Sequence, residues 1–292
     1  MHFPQALVMG ATGRIGAILR RFWPDPGNAS QYGGGVVWQT RHNPPEKTLN
    51  WLHLDPLNDP AGLRRTVQTC KVVLCLAGVT PAAAQAGTGQ MADNIALAEA
   101  AVRAAAGTGA RVILASSAAV YGNQPGILEE SCPLAPLSDY GRAKAGMETR
   151  ARQLGAQLGV PVCSLRIGNI AGIDAILGGW RPGFQLDQFG DGRTPQRSYI
   201  GVLTLARVLS DLVRADHLPK SLNVAMPGVI EMGALLDAAG LAWVPHPAPE
   251  SAIARVVLST RALERFTSLT EAEGRASEMV RQWHLLEPVL KG

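Results

Sequence analysis

Ala6-Leu7-Val8-Met9-Gly10-Ala11-Thr12-Gly13-Arg14-Ile15-Gly16 decides how this chain is read. Four apolar residues make a short buried strand. The glycines then turn the chain into a helix expected from about Arg14 to Phe22. Such a turn needs residues without a Cβ, and a helix that starts there presents unpaired N–H donors to an anion. Gly10, Thr12, Gly13, Arg14, Ile15 and Gly16 are therefore candidate contacts for the pyrophosphate of a dinucleotide.

Outward from this turn, strands and helices alternate. Val36 to Thr40, behind Gly33-Gly34-Gly35, reads as a second strand, Trp51 to Leu54 as a third and Val72 to Leu76 as a fourth. Helices are expected over Asp59–Thr69, Met91–Ala106 and Tyr140–Leu158, with further strands at Arg111–Ala115 and Val160–Ile167. Continuous apolar strands alternating with helices imply an α/β fold, a doubly wound parallel sheet with helices on both faces. After Gly168 the pattern weakens. Gly172 to Gln196 reads as a loop and Pro245 to Pro249 as a connector. Helices are expected at Thr204–Arg214, Met232–Ala239 and Glu271–Trp283, and a strand at Ser221–Ala225.

The bulk numbers narrow the class. With 292 residues, 47% hydrophobic and 17% charged, the chain suits one large globular domain or one with a small appendage. A net charge of +4 without a run of like charges disfavours nucleic acid and suits a small anionic ligand. Cys70, Cys75, Cys132 and Cys163 lack metal-ligand spacing and read as free thiols, so no metal is expected. No stretch has the length of a membrane span and no leader precedes the first strand, so the expected location is the cytoplasm.

In dinucleotide sites an acid after the second strand would bind the ribose 2′-hydroxyl. Here the chain reads Gln39-Thr40-Arg41-His42. Arg41, helped by Arg14, is placed to face a 2′-phosphate, so NADP is expected in preference to NAD. Asp55, after the third strand, is a candidate for the adenine edge. Leu76, Ala77 and Gly78 end the fourth strand, where the backbone would run under the cofactor.

Tyr140 and Lys144, four residues apart, share one face of a helix. A free tyrosine has a pKa near 10, and a neighbouring ammonium that lowers it by about two or three units would make it a competent base. Ser117, ending the preceding strand, is placed to hydrogen-bond the substrate oxygen, and Asn94 to fix the backbone and a water path. Ser117, Tyr140 and Lys144 form the expected catalytic group, the last two also touching the cofactor.

These motifs, with Ser116-Ser117-Ala118-Ala119-Val120-Tyr121-Gly122 and Leu165-Arg166-Ile167-Gly168-Asn169, resemble an extended short-chain dehydrogenase/reductase of the NAD-dependent epimerase/dehydratase family. The resemblance covers nearly the whole chain. It implies a Rossmann domain over 1–170, to which later segments return, and a small α/β substrate domain over most of 171–292. It also implies a homodimer through the helices starting near Met91 and Tyr140, and substrate contacts from Ser117, Asn169 and Arg197, the last matching an arginine that grips a sugar-nucleotide pyrophosphate in relatives. The chain departs from the pattern after Arg197, where Gly201 and Thr204 replace a usual His and Asp.

Ala118 and Ala119 stand where 4,6-dehydratases carry an Asp-Glu pair, which disfavours elimination. The expected activity is hydride transfer at a secondary alcohol or ketone by an epimerase or oxidoreductase, with a nucleotide sugar as one substrate. The alternatives are an NADP-linked reductase or dehydrogenase of a smaller carbonyl or hydroxyl compound, and a non-catalytic cofactor-sensing protein.

Overall fold

The opening stretch folds as its pattern demands. Strand β1 (Ala6–Met9) runs into Gly10, and helix α1 (Arg14–Phe22) begins directly after Gly13. The computed structural model describes residues 5–23, 35–45 and 49–290. Gly33 and Gly34, placed before the second strand, lie outside them.

Strands β2 (Val36–Thr40), β3 (Trp51–His53), β4 (Val72–Cys75), β5 (Arg111–Ser117), β6 (Val162–Ile167) and β7 (Ser221–Val224) join β1 in one parallel sheet of order β3-β2-β1-β4-β5-β6-β7. The order reverses between β1 and β4, and the crevice beyond the strand ends at such a reversal is where ligands bind in open α/β sheets. Both faces are buried. In β1, Ala6 and Val8 enter one apolar core while Leu7 and Met9 enter the other. The first core is covered by α1 together with α5 (Val202–Arg214) and α6 (Ala276–Leu290). The second lies under α2 (Pro60–Val67), α3 (Asp93–Ala105) and α4 (Asp139–Leu158). Asp59 caps α2 and Ser138 caps α4, each accepting a bond from a backbone N–H of the first turn. Among the described residues no helix is long and apolar enough to cross a membrane.

Residues beyond 170 serve both this sheet and a smaller layer. A four-stranded sheet joins Ile230–Glu231, Gln196–Arg197, Arg255–Leu258 and Ile127–Leu128. The expected connector at Pro245 is instead a strand, Val244–Pro247, parallel to Gln185–Gln188. Prolines fit there because Val244 and Ala248 supply the N–H groups that bond Phe184 and Gln188, leaving the prolines out of the ladder. The expected helix over Glu271–Trp283 is broken: a short turn at Ala272–Gly274 and extended Arg275 precede α6.

Glycine and threonine after Arg197 have a physical reason. The Gln282 side-chain oxygen, on α6, accepts bonds from the N–H groups of Leu203 (3.0 Å) and Thr204 (3.2 Å), capping α5 from a distance. A Cβ at Gly201 would collide with that amide.

A buried ionic knot joins the layers. Glu148, on α4, accepts from Ser116 Oγ at 2.6 Å and from Arg166 Nη2 at 2.9 Å. Arg166, on β6, also donates to the Tyr121 hydroxyl (2.9 Å), which bonds Asn223 on β7 (2.8 Å). Replacing Glu148 by Ala leaves the Arg166 charge buried without its partner. The expected loss is about 3–5 kcal/mol of stability, measured as a lower urea midpoint at unchanged slope.

Candidate active site

The glycine turn is shaped by close approach. Gly10 has φ +76°, and a Cβ there would sit 2.6 Å from the Ala77 backbone nitrogen. A side chain is excluded both by conformation and by space. The Gly10 N–H is held by the buried Gln39 side chain (2.9 Å), which in turn donates to the Leu54 carbonyl (2.7 Å). Among the described residues no side chain caps α1 at Gly13, and its first turn holds no acid, so those N–H donors are open to an anion. The turn and this helix end fit the diphosphate of a dinucleotide.

Two connected clefts flank the turn. In the outer one, Gly10, Thr12 and Gly13 face Arg41, His42 and Leu76 to Gly78. Arg41 is exposed at its rim. Asp55 also lines this side, but its carboxylate accepts from the Leu57 N–H and the Asn58 amide, fixing its own turn. Arg14 points elsewhere. Its Nη1 donates to the Ile173 carbonyl at 2.6 Å, across the inner cavity. Arg14 is thus turned away from the rim where Arg41 stands.

The inner cavity, about 360 Å³, brings together Arg14, Ser117, Tyr140, Lys144 and Asn169. β5 runs two residues farther than the sequence pattern suggests, so Ser116 and Ser117 end the strand itself. Ser117 Oγ accepts from the Ala119 N–H (3.2 Å) and lies in hydrogen-bonding reach of the Tyr140 phenol. Lys144 Nζ donates to the Ala115 carbonyl at 2.9 Å and stands 5.8 Å from the Tyr140 ring centre. Asn94 works from beneath: its amide bonds Val79 and Met91, holding the backbone after Gly78.

The electrostatics differ from expectation. Burial pushes the Tyr140 phenol up, opposed by the Ser117 hydroxyl and the positive charge of Arg14. Burial also lowers Lys144 to about 8, with Cys75 and Glu148 pulling the other way. The lysine is therefore a desolvated cation fixed by a carbonyl, and the charge that opposes the rise of the phenol is that of Arg14.

Farther along the wall, Asn169 lines the cavity within reach of the Tyr199 phenol, while Arg197 is turned into the protein. Its guanidinium donates to the carbonyls of Gln196 (2.8 Å), Ile253 (2.8 Å) and Ala254 (3.4 Å). Sequence reasoning missed Asp174, which lines the cavity and accepts from the Tyr199 hydroxyl at 2.9 Å. Burial raises its carboxyl, and bonds from Tyr199 and backbone N–H groups oppose that. It also missed Glu148 and Arg166. Glu148 left a signal, being one further turn along the face that carries Tyr140 and Lys144; Asp174 left none.

Residues 6–176 match the model of the family described as NAD dependent epimerase/dehydratase, and the chain belongs to that family. No curated protein sequence matches it. Its fold resembles a UDP-glucose-4-epimerase from Stenotrophomonas maltophila solved with NAD and formylated UDP-arabinopyranose (19% identity, 99% of each chain covered, TM-score 0.78). It also resembles a UDP-glucose 4-epimerase from Thermus thermophilus in complex with NAD (22% identity, 96% of this chain and 99% of that one, TM-score 0.71). A third likeness is to an NAD dependent NDP-hexosamine 5,6-dehydratase involved in tunicamycin biosynthesis (19% identity, 98% of each chain, TM-score 0.76).

These findings overturn the NADP expectation. The matching family is NAD dependent, and both epimerase structures hold NAD. The physical reason is visible in Arg14, which the expectation paired with Arg41 around a 2′-phosphate and which instead bonds Ile173.

Because Lys144 is buried and its pKa is lowered to about 8, its charge opposes folding below that pH. The native chain binds fewer protons than the unfolded one above pH 8, so stability on this account rises from about 8 toward the ordinary lysine value. Lys144→Met is expected to melt at or above the wild-type temperature at pH 7, with the margin shrinking above pH 8. Thermal unfolding across that range checks it.

Proposed function

We propose that this chain catalyses NAD-dependent hydride transfer at a secondary alcohol or ketone, with a nucleotide sugar as substrate and epimerisation as the net result. The observation that carries this reading is the meeting of Ser117, Tyr140 and Lys144 in one cavity with the glycine turn. The family and the nucleotide-sugar enzymes of like fold support it.

The backbone from Thr12 to Ile15 would hold the NAD diphosphate, and Leu76 to Gly78 would run beneath the dinucleotide. NAD, when bound, supplies a hydride acceptor that can return the hydride. The chain's own residues manage the proton. Tyr140 receives it from the substrate hydroxyl at its phenol oxygen. Ser117 holds that substrate oxygen, its own position set by the Ala119 N–H. Lys144 and Arg14 supply positive charge against the phenolate. Ala118 and Ala119, in a short turn after Ser117, offer no acid for elimination.

One observation favours a second reading, a smaller hydroxyl or carbonyl substrate. Arg197, the residue expected to grip a sugar-nucleotide diphosphate, has its guanidinium on three backbone carbonyls.

Tyr140→Phe is expected to lower turnover by at least about a hundredfold in a chain that still takes up NAD. Unchanged turnover in this variant would remove Tyr140 as the base, and a wild-type chain that binds NAD but turns over no substrate would return it to the non-catalytic reading. Substrate panels separate the others: a 4-epimer seen by NMR without net NADH supports the first, and NADH accumulating with a small alcohol supports the second.

A further inference from the structure

Arg14 stands at the first residue of α1, beside the open N–H donors, yet its side chain crosses to the opposite wall of the cavity. That wall is the segment after β6. Its acceptor, the Ile173 carbonyl, is a fixed post: the Ile173 N–H bonds Ile170, and the next residue, Asp174, is anchored by the Tyr199 hydroxyl and the Leu177 N–H. Asp174 does not pair with Arg14. Among the described residues the Arg14 guanidinium makes only the bond to Ile173, 2.6 Å long, and has no carboxylate partner. A guanidinium has five N–H donors in a planar fork. Most of them, and the whole positive charge, are left for a ligand lying between the two walls.

We propose that Arg14 is a strap over the dinucleotide's diphosphate, fixed at its far end to the Ile173 carbonyl, that makes NAD a slowly exchanging, retained cofactor. This rests on the NAD reading above. The glycine turn seats the diphosphate from the backbone side. The guanidinium then closes the opposite side, with some donors on the phosphate and one on Ile173. Release requires the fork to let go of both. A cofactor retained in this way gives its hydride back to the same substrate pocket, which suits epimerisation better than net oxidation. The strap's charge also bears on Tyr140, so it joins cofactor hold to the base.

The test loads purified protein with radiolabelled NAD and follows its loss into an excess of unlabelled NAD. Arg14→Met is expected to release NAD about ten- to a hundredfold faster, the range for losing a hydrogen bond to a charged group. Arg14→Lys keeps the cation but not the planar fork, and is expected to release NAD nearly as fast as the Met variant. Arg14 is exposed, so both variants should melt with the wild type when free of NAD, which separates a hold on the cofactor from a fault in folding. Wild-type release rates in both variants overturn the strap. Fast release in Arg14→Met with slow release in Arg14→Lys also overturns it, leaving a simple charge effect. A wild-type chain that takes up no dinucleotide overturns the NAD reading itself, and the strap with it.

Discussion

The buried pairing of Glu148 with Arg166 is the contact on which the rest of the site depends. Glu148 lies two turns beyond Tyr140 and one beyond Lys144 on α4. Arg166 lies on β6, three residues before Asn169, and Ser116, which also bonds Glu148, is the neighbour of Ser117. One carboxylate therefore sets the register of the helix carrying Tyr140, the strand end carrying Ser117 and the segment carrying Asn169. Buried ion pairs are poor sources of net stability, because desolvation offsets their attraction. Their geometric demand is strict, and here it falls on the three elements that bring Ser117, Tyr140, Lys144 and Asn169 to the cavity. Tyr121 extends the demand to β7 through Asn223, so the far edge of the sheet is tied to the same knot.

The parallel sheet was legible because its signal is local. Ala6 to Met9, Val72 to Cys75 and Val112 to Ala115 are apolar at every position, as strands covered on two faces must be, and turns at Gly10 and after Gly159 mark where helices start and stop. Ser117, Tyr140 and Lys144 were legible for the same reason: their spacing encodes their faces. The smaller layer was not. Ile127–Leu128, Gln196–Arg197 and Ile230–Glu231 are two-residue strands whose partners lie far away in sequence, too short for a period to show. Prolines at 245 and 247 hid a strand, since only the bonding of Val244 and Ala248 shows that their missing N–H groups cost nothing there.

Side-chain direction was the other blind spot. Arg14 and Arg197 were both assigned by position in a motif. Position fixes where a Cα sits, whereas a long flexible side chain chooses among acceptors that only the folded chain assembles. Arg14 found the Ile173 carbonyl, 159 residues away, and Arg197 found carbonyls at 253 and 254. The cofactor expectation failed on the same ground, because it took two arginines near a turn to be two arginines on one side of it. Lys144 shows the converse. It shares the cavity with Tyr140, but the burial that lowers its pKa comes from β4, β5 and α3 closing around it, which no local spacing records.

The cap that Gln282 places on α5 has a consequence for how the protein is made. Helices α2 and α4 are capped by residues beside them, Asp59 and Ser138, so they can close as soon as their own turn has left the ribosome. α5 gains its cap only after residue 282 has been synthesised, although α5 itself precedes β7 and covers one face of the sheet. During synthesis the first six strands can pair while this face remains incompletely sealed. The nascent chain thus carries exposed apolar surface until that residue has emerged, the interval in which holding chaperones have most to offer it.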